Sequence, residues 1–385
     1  MKQKIISFLN NIEDDISALC KYIYNNPEES FKEQNSSTYI TNMLADYNFT
    51  IEENLLDIPN CFIAKKGSAH PKICYLCEYD AVKDKGHLTG HNALTAISVS
   101  AALALGSIIT EIGGSVMLIG CPGEYLGGTK ITLTKQGIFD DIDIVMECHP
   151  STSTAESGTS YAIIALCISF TDFSELTFLN SNKYTPLDAL LLTIHTINSL
   201  SKSFPNDSTV NYIISKGGET PSLTPNISEA KFYIRAKDSV TTEYIEGKLR
   251  NIALHISDLT NIKCNINLYE QPNEELITNK TLNRLFTHNL KESGIINIKP
   301  PRNINAGLSI GTVSKKVPCI HSYIGITENT NVKYGSNDFK ESTIKKFALD
   351  QIKKAATALT FTGYDLIKKE SLLTEVRNCF YTKEE

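Results

Sequence analysis

The sequence has no tryptophan, only four methionines and no cluster of basic residues. Its 37 Lys and Arg side chains are outnumbered by 43 Asp and Glu, which gives a formal charge of −6. Without a basic stripe or arm, we predict that the chain does not bind nucleic acid. No apolar run reaches the roughly 18 to 20 residues that span a bilayer, and the N-terminal segment turns acidic before a signal peptide could form. We therefore expect a cytoplasmic protein without membrane association.

Several signatures of enzyme chemistry are also missing. The chain has no GxGxxG motif, and "LGGTK" (Leu126 to Lys130) lacks the first glycine of a phosphate-binding loop. Apart from Cys74 and Cys77 in "CYLC", the ten cysteines are scattered singly, as is usual for reduced thiols. A cysteine nucleophile beside a histidine is a minor alternative, with Cys121, Cys148 and Cys319 as candidates.

The order of the apolar segments predicts an α/β fold in two domains. Short, nearly continuous apolar runs such as "KICYLCEYD" alternate with helical patterns, as they do in a sheet that is buried on both faces. After the small-residue linker "STSTAESGTS", the order changes to β-α-β-β-α, which resembles a ferredoxin-like insertion. We predict an α/β domain formed by residues 1–160 and 265–385, interrupted by an inserted domain at residues 161–264.

Side chains suited to metal or acid-base chemistry follow three predicted strands. They lie in "EYD" with "GHLTGH" (Glu78 to His91), in "GCPGEY" (Gly120 to Tyr125) and in "ECHP" (Glu147 to Pro150). A single strand-end histidine is more often a loop residue than a ligand, and an isolated glutamate is more often a helix N-terminal acid. Open α/β sheets, however, build their binding crevice at the carboxyl ends of the strands. The three stretches together therefore predict a functional site.

These motifs resemble those of the M20 metallopeptidase and amidohydrolase family, in its branch of aminobenzoyl-glutamate hydrolases and M20-domain dipeptidases. "CEYDAVKDKGHLTGHN" is similar to EYDALPGIGHACGHN, and the segment from "GCPGEYLGGTK" to "MECHP" is similar to GTPAEEGGGGK…HP. "NNPEESFKE" and "GLSIGTVSKKVPCIHSYIGI" resemble further elements of the branch. The resemblance covers nearly the whole chain. It implies an M20 peptidase-like α/β catalytic domain with an inserted ferredoxin-like lid and dimerisation domain.

The family binds two divalent ions, and the resemblance carries part of that site over to this chain. His91 and His149 match two histidine ligands, Glu124 matches the general base, and Asp80 matches the aspartate of the first motif. Such a centre implies hydrolysis of a small amide, namely an N-acyl amino acid, an aminoacyl compound or a peptide-like ligand.

Three ligand positions of the family are replaced in this chain. Thr89 stands for the bridging cysteine, Tyr125 for a glutamate and Gly335 for the distal histidine. A threonine hydroxyl is a poor substitute because, unlike a thiol, it stays protonated without strong activation. We therefore do not expect dinuclear hydrolysis. The remaining site holds at most one divalent ion, such as zinc or manganese, or none.

Two histidines fall short of the three protein ligands that catalytic zinc normally uses. A third could come from Glu124, Glu147, Asp80 or Cys148. Alternation along "VMECHP" favours Glu147, because it points Glu147 to the side of His149 and Cys148 to the opposite side.

The resemblance also identifies positions in the inserted domain where the family contacts substrate. Glu175 lies about where relatives have a histidine, Ser222 replaces an asparagine, and Arg235 is a candidate for binding a ligand carboxylate or else a surface arginine. A homodimer through the lid is implied by the family alone.

Two functions follow. One is an amidohydrolase or dipeptidase with a remodelled centre of at most one metal. The other is a catalytically inactive pseudo-hydrolase that binds a ligand or acts as a partner subunit.

Overall fold

A computed structural model describes residues 1–179 and 183–382, which form two compact units. Unit 1 contains Met1–Thr159, Leu276–Asn303 and the described chain from Thr312 onward. Unit 2 contains Ser160–Glu275 and Ile304–Gly311. The sequence placed the end of the insertion at residue 264, which lies inside a strand that pairs with the first strand of unit 2. The pairing continues to Leu268, so the chain leaves unit 2 later than the change in sequence pattern indicated.

The helices and strands are numbered in chain order. The helices are α1 (Lys2–Asn11), α2 (Glu13–Asn25), α3 (Gln34–Asp46), α4 (His91–Ile112), α5 (Lys130–Lys135), α6 (Pro186–Leu200), α7 (Ser239–Thr260), α8 (Lys280–Glu292), α9 (Ile310–Ser314), α10 (Asn337–Ser342), α11 (Lys346–Lys368) and α12 (Glu370–Tyr381). The strands are β1 (Thr50–Glu53), β2 (Phe62–Gly67), β3 (Lys72–Cys77), β4 (Ser115–Gly120), β5 (Ile144–Ser151), β6 (Ala155–Ser160), β7 (Ala162–Thr171), β8 (Thr209–Lys216), β9 (Ile227–Ala236), β10 (Lys263–Leu268), β11 (Lys299–Ile304) and β12 (Cys319–Gly325).

Unit 1 is built on an eight-stranded sheet in the order β1-β2-β4-β3-β5-β12-β6-β11. The four strands β4, β3, β5 and β12 run parallel to one another. Because parallel strands end at the same edge, the residues that follow β3, β4 and β12 lie on the same side as the end of β5. The α/β prediction is confirmed, and this edge carries the candidate site.

Helix α4 forms the centre of the core of unit 1, against the sheet and against α11. It is long and apolar enough to cross a membrane by length and composition, although the sequence was expected to hold no such run. In the structure 89% of its most apolar window is buried within the protein, as in the core helix of a globular domain. Close packing also occurs within the sheet: a Cβ at Gly120 would lie 2.1 Å from the ring of Phe62 on the paired strand.

Unit 2 contains a four-stranded sheet in the order β10-β7-β9-β8, with antiparallel neighbours and the helices α6 and α7. The chain order β7-α6-β8-β9-α7-β10 is that of a ferredoxin-like domain, as the sequence predicted. Along β9 every second residue is buried, which shows that one face of the sheet packs on the core of unit 2. Strand β8 forms an edge of this sheet and is largely exposed.

Candidate metal centre

The carboxyl edge of the parallel strands gathers the titratable side chains of unit 1. Glu78 and Asp80 directly follow β3, Glu124 lies in a short 3-10 turn after β4, and His91 begins α4. Glu147 and His149 lie near the end of β5, and His321 lies on β12 beside them. The structure thus brings together the site residues that the sequence predicted on separate stretches of unit 1.

Three of these side chains form a compact set of potential metal ligands. One ligand atom from each of Glu78, His91 and His149 lies within 4.8 Å of the other two, and all three side chains are buried. Among residues 1–179 and 183–382, this is the one set of three or more such groups that lies so close together. The third member is Glu78, which sequence reasoning did not propose as a ligand.

The hydrogen bonds of the two histidines direct one ring nitrogen of each toward this set. His91 Nδ1 lies 2.7 Å from Asp80 Oδ1, which leaves Nε2 directed at Glu78 Oε2, 3.1 Å away. His149 Nδ1 lies 2.9 Å from the carbonyl oxygen of Pro150 and must donate, since a carbonyl only accepts. Nε2 of neutral His149 therefore carries a lone pair. A buried acceptor on the outer nitrogen is the usual support for a metal-binding histidine.

The charges of the two histidines differ because their neighbours differ. Burial alone lowers the pKa of His91, but the carboxylates of Glu78 and Asp80 outweigh burial and raise the pKa to about 9. Burial and the neighbouring His321 lower the pKa of His149 to about 3. Without an added cation, His91 is therefore charged and His149 is neutral near pH 7.

A buried ammonium group lies next to this set. The Lys130 side chain is 1% exposed, and its Nζ contacts Glu78 Oε1 and lies 3.3 Å from both Glu124 Oε2 and Glu147 Oε2. Burial opposes charge on Lys130, but the carboxylates of Glu124, Glu147 and Glu78 outweigh it and hold the pKa well above its usual value. Burial also raises the pKa of Glu78, whereas Lys130 and His91 outweigh that effect and lower it to about 2. We call Lys130 with these three glutamates the lysine cage.

Within the lysine cage, the Glu147 carboxylate contacts Lys130 and not His91 or His149. Its strand register pairs it with His321 of β12, and His321 Nε2 lies 3.1 Å from Glu147 Oε1. Alternation along β5 does put Glu147 on the side of His149, while Cys148 lies in the hydrophobic core. The carboxylate of Glu147 is nevertheless turned toward Lys130. The structure therefore offers Glu78, in place of the expected Glu147, as the third ligand.

Buried thiols do not provide a nucleophile beside these histidines. Burial raises the pKa of Cys121, Cys148 and Cys319 well above the ordinary thiol value. A protonated thiol is not the nucleophilic form.

The replaced family positions make other contacts. The hydroxyl groups of Thr89 and Tyr125 are hydrogen-bonded to each other, and the Tyr125 ring stacks on His91 with ring centroids 4.7 Å apart. Gly335 has a φ of +76°, and a Cβ built there would meet no atom within 4 Å. None of the three offers a thiolate, carboxylate or imidazole.

Asp80 and Glu124 have different surroundings. Asp80 is fully buried, and its Oδ2 accepts hydrogen bonds from Ser30 Oγ at 2.7 Å and from the backbone N–H of Tyr125 at 2.9 Å. Since Oδ1 is bonded to His91, Asp80 is placed to orient that ring. The Glu124 carboxylate is buried beside Lys130, close enough to His91 to raise its pKa.

The three residues predicted to contact substrate from the insertion all lie in unit 2. Arg235 donates a 2.7 Å hydrogen bond to Asn211 Oδ1, and its guanidinium lies 4.9 Å from the centre of the Tyr233 ring. The carbonyl of Ser222 accepts a hydrogen bond from the backbone N–H of Thr177. The backbone N–H of Glu175 donates to Thr224 Oγ1.

The residues present fit one divalent ion. Two histidines and one carboxylate form a known donor set of catalytic zinc sites. His149 is already neutral, whereas His91 would give up its Nε2 proton to bind an ion. The two carboxylate oxygens of Glu78 have different neighbours, since Oε1 contacts Lys130 and Oε2 contacts His91. Oε2 could therefore bind an ion in place of its contact with His91, while Oε1 stays bound to Lys130. Neither Thr89, Tyr125 nor Gly335 adds the donors that a second ion would need.

Sequence comparisons identify relatives, although no family model matches the chain. The chain is 27% identical over 406 residues to the Xaa-Arg dipeptidase of Mus musculus, covering 100% of this chain and 93% of the relative. It is 27% identical over 322 residues to a component of the p-aminobenzoyl-glutamate hydrolase of Escherichia coli (strain K12), covering 76% of this chain and 66% of the relative.

Solved structures show the same fold. A putative aminohydrolase from methicillin-resistant Staphylococcus aureus matches with a TM-score of 0.75 and 17% identity, over 94% of this chain and 100% of the other. A dinuclear metal-binding peptidase of the M20 family from Bacillus subtilis matches with a TM-score of 0.66 and 15% identity, over 92% and 99%. The fold is that of the M20 amidohydrolases. The motifs indicated this fold, and the sequence is similar to that of the Xaa-Arg dipeptidase along the whole chain.

Proposed function

We propose that the chain is an amidohydrolase or dipeptidase that acts on a small aminoacyl, N-acyl or peptide-like amide and uses a single divalent ion, zinc or manganese. Glu78, His91 and His149 would hold the ion, and Glu124 would be the general base. The observation that carries the proposal is the set of three ligand atoms within 4.8 Å of one another at the carboxyl edge of the sheet. The names of the relatives support the substrate class, since both describe hydrolysis of an amide next to an amino acid.

The residues around the ligands have separate tasks. Asp80 keeps the Nδ1 proton of His91, so that the Nε2 of neutral His91 faces inward. The Pro150 carbonyl does the same for His149. When bound, a divalent ion polarises the amide carbonyl and lowers the pKa of water from 15.7 to about 7.

Glu124 would transfer the proton. A carboxylate at this position accepts a proton from the attacking water and returns it to the leaving amine, a role worth about 10²- to 10⁴-fold in rate. Lys130 Nζ lies 3.3 Å from Glu124 Oε2 and fixes the position of that carboxylate. Lys130 is thus a positioning residue shared by the base and by Glu78.

One observation favours a second function, that of a catalytically inactive pseudo-hydrolase that binds a ligand or a partner subunit. The Lys130 ammonium already neutralises part of the charge of three buried glutamates. Together with the replacements at Thr89, Tyr125 and Gly335, this gives a centre whose negative charge is already partly neutralised without an ion.

We further propose that the chain forms a homodimer through unit 2 and works in the cytoplasm. Strand β8 is an edge strand with exposed apolar side chains, among them Ile213 at 63% and Ile214 at 46% exposure. An exposed apolar edge is suited to pair with a second copy. The free thiols of the described chain favour a reducing compartment.

Hydrolysis by the metal-loaded protein tests the proposal. Chelator-treated protein is reloaded with zinc or manganese and assayed with dipeptides that end in arginine and with p-aminobenzoyl-glutamate. We expect metal-dependent release of the amino acid, reduced about 10²- to 10⁴-fold by Glu124→Gln. Glu111→Gln, at a surface ion pair with Lys4, is the matched control and retains full activity. Binding of these amides without cleavage under either metal would refute hydrolysis and support the second function.

A further inference from the structure

Arg302 is a half-buried guanidinium on the same edge of unit 1. It lies in β11, whose backbone is packed so closely on Gly158 that a Cβ there would come within 2.5 Å of the Arg302 carbonyl. In the described part of the chain, no carboxylate forms an ion pair with this guanidinium. A half-buried arginine without a counter-ion is unusual, because charges removed from water are normally paired.

Two tyrosines and a serine hold the guanidinium in place. Its central carbon lies 4.7 Å from the centre of the Tyr323 ring and 5.9 Å from that of Tyr334, within the range of cation–π contacts. One terminal nitrogen donates a hydrogen bond to Ser151 Oγ. The other N–H groups of the fork have no protein acceptor among the described residues. The group is pre-positioned and keeps free donors.

The same two rings also lie beside His149. The centroid of the His149 ring is 6.5 Å from that of Tyr323 and 6.3 Å from that of Tyr334. Tyr323 is the register partner of His149 on the neighbouring parallel strand. Ser151 follows His149 by two residues on β5 and therefore points to the same face of the sheet. The guanidinium is thus held on the side of the metal centre, one aromatic side chain away from a ligand.

We propose that Arg302 binds the terminal carboxylate of the ligand and so restricts the centre to amides whose amino-acid end is a free acid. The identity of the ligand as an amide rests on the proposed function. A planar guanidinium with two free donors matches a carboxylate in two parallel hydrogen bonds. Tyr323 and Tyr334 keep the fork in one orientation, so little freedom is lost when the carboxylate binds.

Arg235 is the other arginine that the sequence proposed for this role. It lies in unit 2, where Asn211 accepts from its guanidinium and Tyr233 lies under it. Each arginine contacts a tyrosine ring and donates to a polar side chain, but Arg302 lies in unit 1 and Arg235 in unit 2. Matched substitutions can therefore show which of them binds the carboxylate.

The test measures binding and not cleavage. Calorimetric titration compares each of two free acids with its amide: alanylglycine with alanylglycinamide, and benzoylglycine with its amide. The protein is full-length, zinc-loaded and carries Glu124→Gln to prevent turnover. Four substitutions are introduced one at a time into this Glu124→Gln protein: Arg302→Gln, Arg302→Lys, Arg235→Gln and the control Arg284→Gln. Arg284 is a surface residue that pairs with Glu375. Thermal unfolding of each variant confirms that it is folded, and Arg302→Lys keeps the charge if Arg302→Gln does not fold.

We expect at least one free acid to bind about 10- to 100-fold more tightly than its amide, as for a hydrogen-bonded charge pair. Arg302→Gln should abolish this preference, Arg302→Lys should reduce it, and the other two variants should keep it. The inference is overturned if no free acid binds more tightly than its amide, if the preference survives Arg302→Gln, or if Arg235→Gln removes it. The two proposals can also fail separately. If the preference depends on Arg302 but the protein that keeps Glu124 cleaves none of these amides, the carboxylate site is upheld and the hydrolase function is refuted.

Discussion

The lysine cage allows a quantitative prediction for Lys130→Met. At 3.3 Å and an effective dielectric constant of roughly 20, each pair of Lys130 with Glu124 or Glu147 is worth about 5 kcal/mol before desolvation. Removing the ammonium also removes the free-energy cost of burying it, and this gain offsets several kcal/mol of the lost ion-pair energy. His91 still faces Glu78 and His321 still faces Glu147, so the loss falls mainly on Glu124. We expect the free energy of unfolding of unit 1 to fall by about 3 to 5 kcal/mol.

Urea unfolding at pH 7, followed by circular dichroism, measures this change. The control is Lys4→Met, since Lys4 pairs with Glu111 at the surface, where such pairs are worth about 0 to 1 kcal/mol. Below the ordinary glutamate pKa, the difference in free energy of unfolding between Lys130→Met and the wild type should become smaller. The reason is that Lys130, together with His91, lowers the folded pKa of Glu78 from 4.5 to about 2. The part of the stability that Lys130 supplies through Glu78 is therefore complete above pH 4.5 and lost toward pH 2. A Lys130→Met variant as stable at pH 7 as Lys4→Met would refute the cage.

Three further perturbations test separate parts of the structure. Asp80→Asn removes the charged acceptor of the His91 imidazole and should weaken the affinity of the proposed centre for zinc about 10- to 100-fold in a competitive titration. An unchanged affinity would exclude the orienting role of Asp80. Asp143→Asn alters a carboxylate that accepts from a guanidinium, an imidazole and a backbone N–H, and should lower stability in urea at neutral pH. Because the pKa of Asp143 is lowered from 3.8, the difference should vanish as the pH falls below that value, and a constant difference would contradict this. Combining Thr89→Cys, Tyr125→Glu and Gly335→His should raise the bound metal by one ion per chain in elemental analysis, since a Cβ at residue 335 would meet no atom within 4 Å. An unchanged ratio would show that the second site needs more than these three ligands.

The sequence predicted those parts of the site that depend on local pattern. The carboxyl ends of β3 and β5 could be placed because one short buried run precedes Glu78 and another contains His149 near its end. The two-residue period of a strand was enough to separate Glu147 from Cys148.

The remaining site residues depend on contacts between distant segments. His321 faces Glu147 because β12 inserts beside β5 in one particular register, and nothing within "CIHSYIGI" specifies that register. Lys130 is the first residue of a short helix, and only the fold directs its side chain inward. Glu78 precedes Asp80 by two residues, which could have suggested a shared side, but its proximity to His149 comes from the neighbouring strand.

Zinc titration into chelator-treated protein by calorimetry tests the proposed metal centre most directly. We predict one ion per chain in the wild type, and loss of that ion in Glu78→Gln and in His149→Ala. Glu147→Gln should retain it, because Glu147 faces Lys130 and His321. Less than one ion per chain in the wild type, or binding that survives Glu78→Gln and disappears in Glu147→Gln, would contradict a centre formed by Glu78, His91 and His149.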